Sequence, residues 1–141
     1  MVPTVEWKDG AVRILDQSRL PGAVEFLDCR DYRAVAHAIR ELKVRGAPAI
    51  GVTAAMGVAL GAHMVTASDY DTFAKQVDDI CDHLAASRPT AVNLFWAIAR
   101  MKQKLAALKT LPIAQIKIEL TRESQAILDE DIALCKAMGK Q

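Results

Sequence analysis

Hydrophobic and polar positions alternate along the first part of the chain. Three short segments have the two-residue period that is typical of strands with one buried face. They are "TVEWK", "AVRIL" and "AVEFLDC", residues 4–8, 11–15 and 23–29. Asp9-Gly10 between the first two favours a tight hairpin, because both central positions of a type I′ turn have positive φ. With a further turn at "LPG", residues 20–22, this pattern predicts a small antiparallel sheet over residues 4–29.

From Asp31 onward the apolar positions recur every three to four residues, which is the period of an amphipathic helix. Asp31 is expected to cap the first helix. That helix is expected to end near Arg45-Gly46, with Gly46 in the left-handed conformation that often follows a helix. The second helix is predicted from Ala47-Pro48 to about Val65.

Three more helical stretches are predicted after Ser68, which is expected to cap the first of them. Breaks are expected at residues 87–90 and at Leu111-Pro112, and the last stretch reads as one helix or as a broken pair. The positions expected to face the core are Phe73, Val77, Ile80, Cys81 and Leu84, then Leu94, Phe95, Ile98, Met101 and Leu105, then Ile116, Leu120, Ile127, Leu128, Ile132 and Met138.

The second helix contains three glycines, Gly51, Gly57 and Gly61. A glycine inside a helix costs about 1 kcal/mol relative to alanine. Their presence therefore indicates close approach of a neighbouring element. Residues 48–65 are near the minimum length for a membrane span, but their glycine and alanine content favours a buried core helix.

These elements predict an α+β fold that is mainly α. We expect a three-stranded antiparallel sheet in residues 1–30 and a helical bundle in residues 31–141, together forming one domain. The 141 residues are 52% hydrophobic and 25% charged, which is enough to build a core. A formal net charge of +1 disfavours nonspecific binding of nucleic acid. The helical pattern stops just past Gly139, so we expect this to be the first domain of a longer protein.

The residue types that commonly carry catalysis are scattered. Cys29, Cys81 and Cys135 are widely spaced, which favours small buried thiols in a reduced, cytoplasmic protein. The histidines His37, His63 and His83 fall on three different predicted helices. The adjacent acids Asp78-Asp79 and Glu130-Asp131 are expected to point to different sides of their helices. The sequence therefore predicts no metal site, no cofactor and no catalytic residue within this chain.

Two stretches, "VRGAPAIG" and "SRPTAVN", place an arginine just before a proline at a helix start. Proline suits the first turn, where the remaining N–H groups lack partners and the helix dipole is positive. An arginine beside them makes a compact site for a phosphate or carboxylate. The alternative is that each arginine is solvated or paired with an acid such as Asp31 or Glu41. Asn93 is a weaker candidate.

The stretches "VRGAPAIGVTAAMGVALGA" and "RPTAVNLFWAIARM" strongly resemble the N-terminal part of methylthioribose-1-phosphate isomerases. "VEWKDGAVRILDQSRLP" is similar to the opening strands of that family and "EDIALCKAMGKQ" to its linker helix. The resemblance implies a second, Rossmann-like domain, absent from this chain, that supplies a catalytic cysteine and aspartate. It also implies that Arg45, Gly46, Ala47 and Arg88 bind the sugar phosphate.

The activity implied by this resemblance is the interconversion of 5-methylthioribose 1-phosphate and 5-methylthioribulose 1-phosphate in methionine salvage, by a cytoplasmic homodimer. No nucleic acid, membrane or cofactor is implied, and the 141 residues alone are expected to be inactive. Two alternatives stay open. The wider superfamily includes ribose-1,5-bisphosphate isomerases and non-catalytic regulatory subunits of the guanine-nucleotide exchange factor for initiation factor two.

Overall fold

A computed structural model describes residues 5–16, 22, 24–41, 43–44 and 47–138, with the backbone alone at residue 47 and at residues 134–138. In this part of the chain, a three-stranded sheet precedes a bundle of helices, which confirms the predicted α+β, mainly α class. The elements are β1 (Val5–Lys8), β2 (Ala11–Leu15), β3 (Phe26–Cys29), α1 (Tyr32–Arg40), α2 (Ala47–Met64), α3 (Tyr70–Ala85), α4 (Val92–Ala107) and α5 (Ile113–Met138).

The predicted hairpin joins β1 to β2. Asp9 and Gly10 have φ values of 51° and 76°, as a type I′ turn requires. The sheet is antiparallel in the order β1-β2-β3. Val5 pairs with Ile14, and both side chains are buried together with Val12 against the helices. The alternating pattern therefore set which face of the sheet joins the core.

β3 begins at Phe26, later than the predicted segment, because the exposed Val24 lies outside the pairing. On the open face, Arg13 and Asp28 are register partners and form an ion pair at 3.3 Å. The guanidinium of Arg13 also lies 4.7 Å from the ring centre of Phe26. Residues 20 and 21 of the predicted turn lie outside the described residues.

Helix α2 is the centre of the bundle. Every residue from 50 to 62 is buried, as expected for a helix that is apolar on all sides. A Cβ placed on Gly57 would lie 2.9 Å from Val35 Cγ1 and 3.1 Å from Leu84 Cδ2. A Cβ on Gly61 would lie 2.8 Å from Ile80 Cγ2. The predicted close approach of a neighbouring element is confirmed. At these two glycines, side chains of α1 and α3 contact α2.

Aspartates cap two of the helices. The prediction for Asp31 is confirmed, because its Oδ1 accepts a hydrogen bond from the N–H of Ala34 at 2.8 Å. The prediction of Ser68 as a cap is wrong, since Asp69 occupies that position in α3. Asp69 accepts both the N–H and the hydroxyl of Thr72 at 2.9 Å. A carboxylate also interacts better than a hydroxyl with the positive end of the helix dipole.

α1 ends at Arg40, so the predicted end near Arg45 is wrong. The N–H of Lys43 donates to the carbonyl of Ala38 at 2.9 Å and closes the helix there. The turn brings Val44 into the core, with 3% of its surface exposed. A continued helix would have rotated Val44 away from the buried face. Gly46 lies outside the described residues, so its conformation stays a prediction.

The predicted core stripes of the later helices are confirmed at most positions, although Ile132 is only partly buried and the side chain of Met138 lies outside the described part. All five positions in α3 are buried. In α4, Phe95 is 42% exposed, which makes its prediction wrong. The buried stripe passes instead through Leu94, Ala97 and Ile98, and Phe95 lies about 100° further round the helix. α5 is one continuous helix rather than a broken pair.

None of the helices within the described ranges is both long enough and apolar enough to cross a membrane.

Candidate functional site

The first turns of α2 and α4 lie against each other. A Cβ placed on Gly51 would come within 3.1 Å of the carbonyl oxygen of Asn93 and 3.7 Å of Ala97 Cβ. Gly51 is four residues into α2, and Asn93 is the second residue of α4. Because a helix rises about 1.5 Å per residue, both helix starts are within about 6 Å of this contact along their axes. The glycine thus brings two N-terminal ends together.

The sequence-predicted binding residues belong to these two starts. Ala47 is the first residue of α2, while Arg45 and Gly46 lie outside the described residues. Arg88 is half-buried in the turn before α4, where its carbonyl accepts the N–H of Ala91 at 3.0 Å. Because α4 begins at Val92, the prediction that Pro89 occupies its first turn is wrong. Within the described ranges, the guanidinium of Arg88 forms no ion pair or hydrogen bond with another side chain.

The start of α4 also lacks a side-chain cap. Ala91 occupies its N-cap position and supplies no side-chain hydrogen bond. In α1 and α3, by contrast, Asp31 and Asp69 provide that bond. The backbone hydrogen bond from Thr72 lowers the pKa of Asp69, so a negative charge sits at the start of α3. At α4 the corresponding place is open to an external anion.

A cavity of about 350 Å³ opens beside the two helix starts. α2 contributes Pro48, Gly51 and Val52 to its wall, and α4 contributes Asn93 and Trp96. From α5 come Ile127, Glu130 and Asp131. The wall thus combines an indole and aliphatic side chains with two carboxylates and an amide.

Arg100 connects this wall to α5. Its Nε donates to Glu123 at 2.6 Å, and its two terminal nitrogens donate to Glu130 at 2.8 and 2.6 Å. The guanidinium also lies 5.7 Å from the ring centre of Trp96. The hydrogen bonds to Glu130 raise the pKa of Arg100, and the same bonds lower the pKa of Glu130. Arg100 therefore holds an indole and an ionised carboxylate at the edge of the cavity.

Sequence reasoning missed this network. It also missed that Glu130 and Asp131, which were expected on different sides of the helix, both line the cavity. The usable signal was that Glu123 and Glu130 are seven residues apart, and hence on one face of a helix. Their partner Arg100 could not be assigned without knowing that α4 packs on α5.

The two cysteines whose side chains the structure describes are buried thiols with raised pKa values. Cys29 and Cys81 are free and buried. Burial raises the pKa of the Cys29 thiol to about 11 and that of the Cys81 thiol to about 12, so both stay protonated near neutral pH. This agrees with their prediction as small buried residues. The side chain of Cys135 lies outside the described part.

The histidines have surface roles in the part of the chain that the structure describes. His37 is exposed, and His83 makes an edge-on ring contact with Tyr32. His63 shares a hydrogen bond of 2.7 Å with the hydroxyl of Thr121. Over the same residues, no group of three or more His, Cys, Asp or Glu side chains is arranged to hold a metal ion.

Comparison with known proteins gives matches along nearly the whole chain. Residues 43–141 match the initiation factor 2 subunit family. A methylthioribose-1-phosphate isomerase of Geobacter sulfurreducens is 50% identical over 137 residues, which are 97% of this chain and 40% of the relative. The chain therefore spans about 40% of the length of the curated relatives it matches.

Two solved structures share the fold. The 5-methylthioribose 1-phosphate isomerase of Pyrococcus horikoshii superposes with a TM-score of 0.88 at 36% identity, covering 92% of this chain and 36% of that one. The translation initiation factor eIF-2B subunit delta of A. fulgidus superposes with a TM-score of 0.85 at 37% identity, covering 94% and 38% of the two chains.

Proposed function

The chain belongs to the initiation factor 2 subunit family, and from this premise we propose that it is the sugar-phosphate-binding part of an aldose–ketose isomerase. The whole protein would interconvert 5-methylthioribose 1-phosphate and 5-methylthioribulose 1-phosphate. The observation that carries the proposal is the meeting of the α2 and α4 starts at Gly51 and Asn93, close in sequence to Arg88, which has no carboxylate partner among the described residues. The names of relatives half identical to this chain support the choice of substrate.

Phosphate binding is assigned to Arg45, Gly46, Ala47 and Arg88. The N–H groups at the start of α2 would donate to the phosphate oxygens, and Gly46 would let the backbone approach them. Arg88 would add a charge-assisted pair of hydrogen bonds from the turn before α4. Two helix dipoles and two guanidinium groups would together balance the charge of a phosphate dianion.

The chemistry requires a hydrogen to move between C2 and C1 of the sugar. The phosphate on C1 blocks the anomeric hydroxyl, so ring opening is harder than in a free sugar. An acid–base pair must perform these transfers. The two described thiols are protonated and buried, and we therefore assign proton transfer to a second, Rossmann-like domain outside these residues. The present residues hold the phosphate and orient the sugar.

Steady-state kinetics of the full-length protein test this assignment. Replacing Arg88 by alanine should lower kcat/KM at least about 30-fold, because removing one partner of a desolvated charge pair costs about 2–5 kcal/mol. Arg122→Ala is the matched control, since Arg122 is an exposed arginine paired with Glu119 on α5. Equal activity of the two variants would contradict the proposal, as would isomerisation by the purified 141-residue chain.

A second candidate is a regulatory subunit that keeps the fold without the chemistry. The observation in its favour is the A. fulgidus structure named eIF-2B subunit delta, which matches this chain as well as the isomerase structure does. Isomerase turnover by the full-length protein would decide against it. Binding of the sugar phosphate without turnover would favour it.

We also propose that the full-length protein acts in the cytoplasm as a homodimer, without nucleic acid or membrane. Free, buried Cys29 and Cys81 support a reducing compartment. The low net charge supports a small-molecule ligand over nucleic acid. Sedimentation of the full-length protein tests the dimer, and a monomer at micromolar concentration would contradict it.

A further inference from the structure

We propose that the cavity between α2, α4 and α5 binds the uncharged 5-substituent of the sugar phosphate, and that Asp131 in its wall rejects substrates with a second phosphate there. This inference rests on the proposed function, because it takes the first phosphate to lie at the two helix starts. It goes further by assigning the other end of the ligand to named residues and by giving a physical basis for substrate choice.

The position of the cavity suits the far end of such a ligand. Pro48 in its wall directly follows Ala47, and Asn93 in its wall lies five residues after Arg88. The cavity thus adjoins both proposed phosphate-binding segments. In a pentose 1-phosphate, the substituent on C5 is at the opposite end of the sugar from the phosphate. A ligand anchored at the helix starts would extend that end into the cavity.

The apolar part of the lining suits a thioether. Trp96, Ile127 and Val52 present an indole and two aliphatic side chains. A sulfur atom makes favourable contacts with an aromatic ring, at about 5 Å from it. Trp96 is 54% exposed on its own, but its ring lies against the guanidinium of Arg100. Arg100 is in turn paired with Glu123 and Glu130.

The acidic part of the lining disfavours an anion. Glu130 and Asp131 both line it. The charge of Glu130 is balanced by two hydrogen bonds from Arg100. Asp131 lines the cavity and forms no ion pair with another described residue. A phosphate on C5 would meet like charge there, whereas a methylthio group would not. Such repulsion is an effective way to reject a wrong ligand.

The test compares two substrates of the full-length protein, 5-methylthioribose 1-phosphate and ribose 1,5-bisphosphate. Asp131→Asn should lower the ratio of the two kcat/KM values about tenfold, through a gain on the bisphosphate. Trp96→Ala should raise KM for the thioether about tenfold, within the range expected for lost contacts in an apolar pocket. The inhibition constant of inorganic phosphate should stay unchanged in both. Asp129→Asn, an exposed acid bonded to Gln125, is the matched control and should preserve the ratio.

The outcomes separate this inference from the proposed function. A wild-type protein that isomerises neither substrate would overturn both. A wild-type protein that isomerises the thioether, with the same substrate ratio in Asp131→Asn and the same KM in Trp96→Ala, would overturn the subsite alone. Thermal unfolding checks that each variant is folded. If Trp96→Ala is unfolded, Trp96→Phe takes its place, and the KM of that variant is measured with a 5-ethylthio substrate. A KM equal to that of the wild-type protein, together with an unchanged substrate ratio in Asp131→Asn, would then overturn the subsite.

Discussion

Replacing Gly57 by alanine is the sharpest test of how the central helix is packed. The new methyl group would lie 2.9 Å from Val35 Cγ1 and 3.1 and 3.2 Å from the two Cδ atoms of Leu84. Carbon atoms in contact prefer about 3.5–4.0 Å. Val35 and Leu84 are both fully buried, so neither can move aside without displacing a further neighbour.

Two opposing effects set the size of the change. Alanine gains about 1 kcal/mol over glycine in helix propensity. Overpacking a filled core by one methyl group costs about 1–3 kcal/mol. The steric effect wins because the methyl group meets atoms from α1 and from α3 at once. We expect Gly57→Ala to lower the free energy of unfolding by about 1 kcal/mol, which corresponds to a fall in Tm of about 3 °C for a chain of this size.

Urea and thermal unfolding of the 141-residue chain, followed by far-UV circular dichroism, measure this change. Val35→Ala is the matched partner, because it removes the atoms nearest to the new methyl group. The double variant should be more stable than the sum of the single effects predicts, by at least about 0.5 kcal/mol. A Gly57→Ala chain as stable as the parent, or additive effects in the double variant, would refute the proposed packing.

Three further predictions concern other parts of the fold. In a Cys135→Ser chain, Cys29 and Cys81 should react with a disulfide reagent only as fast as the chain unfolds. The reason is that burial raises their pKa values to about 11 and about 12. Rapid labelling of the folded chain would contradict this prediction. Burial and a neighbouring lysine lower the pKa of His63 below its ordinary value of about 6.5. As the pH falls through about 6.5, the unfolded chain therefore binds more protons than the folded chain, and the free energy of unfolding declines. His63→Gln should remove that part of the decline. Identical pH profiles of the unfolding free energy in the parent and the variant would contradict this prediction. Asp31→Ala should lower the free energy of unfolding by about 1 kcal/mol while Asp31→Asn, which keeps a capping oxygen, should change it little; equal losses would show that the cap is not what stabilises α1.

The parts of the fold that could be predicted from the sequence are those decided by local chemistry. Asp9-Gly10 fixed the first hairpin, because few residues accept positive φ at both turn positions. Asp31 marked the start of α1 through a bond to a residue three positions away. The stripe of α3 was also visible, because a helix with one buried face repeats its apolar residues at helical spacing.

The predictions were wrong where tertiary packing determines the helix ends and the buried positions. α1 ends early because the turn buries Val44, and local propensity carries no sign of that. Phe95 is apolar and near the stripe of α4, yet Ala97 is the residue that packs on Gly51. At Ser68-Asp69 both residues are good caps, and only the hydrogen bonds to the next turn distinguish them.

The candidate site also has one part that could be predicted from the sequence and another that depends on tertiary packing. The two arginine–proline junctions were visible because each is a short run of neighbouring residues. That the helix starts at these junctions meet depends on Gly51 and Asn93, which are far apart in sequence. The cavity and the Arg100 network depend on how α4 lies against α5, so periodicity alone could not identify Trp96 or Asp131 as its lining.

A crystal structure of the full-length protein with 5-methylthioribose 1-phosphate is the most direct test of the central claim, that two helix starts and their arginines hold one phosphate. We predict the phosphate at the joined starts of α2 and α4, with the Arg88 guanidinium and the first N–H groups of α2 within about 2.7–3.2 Å of its oxygens. A phosphate bound elsewhere, or Arg88 turned away to a carboxylate, would contradict it.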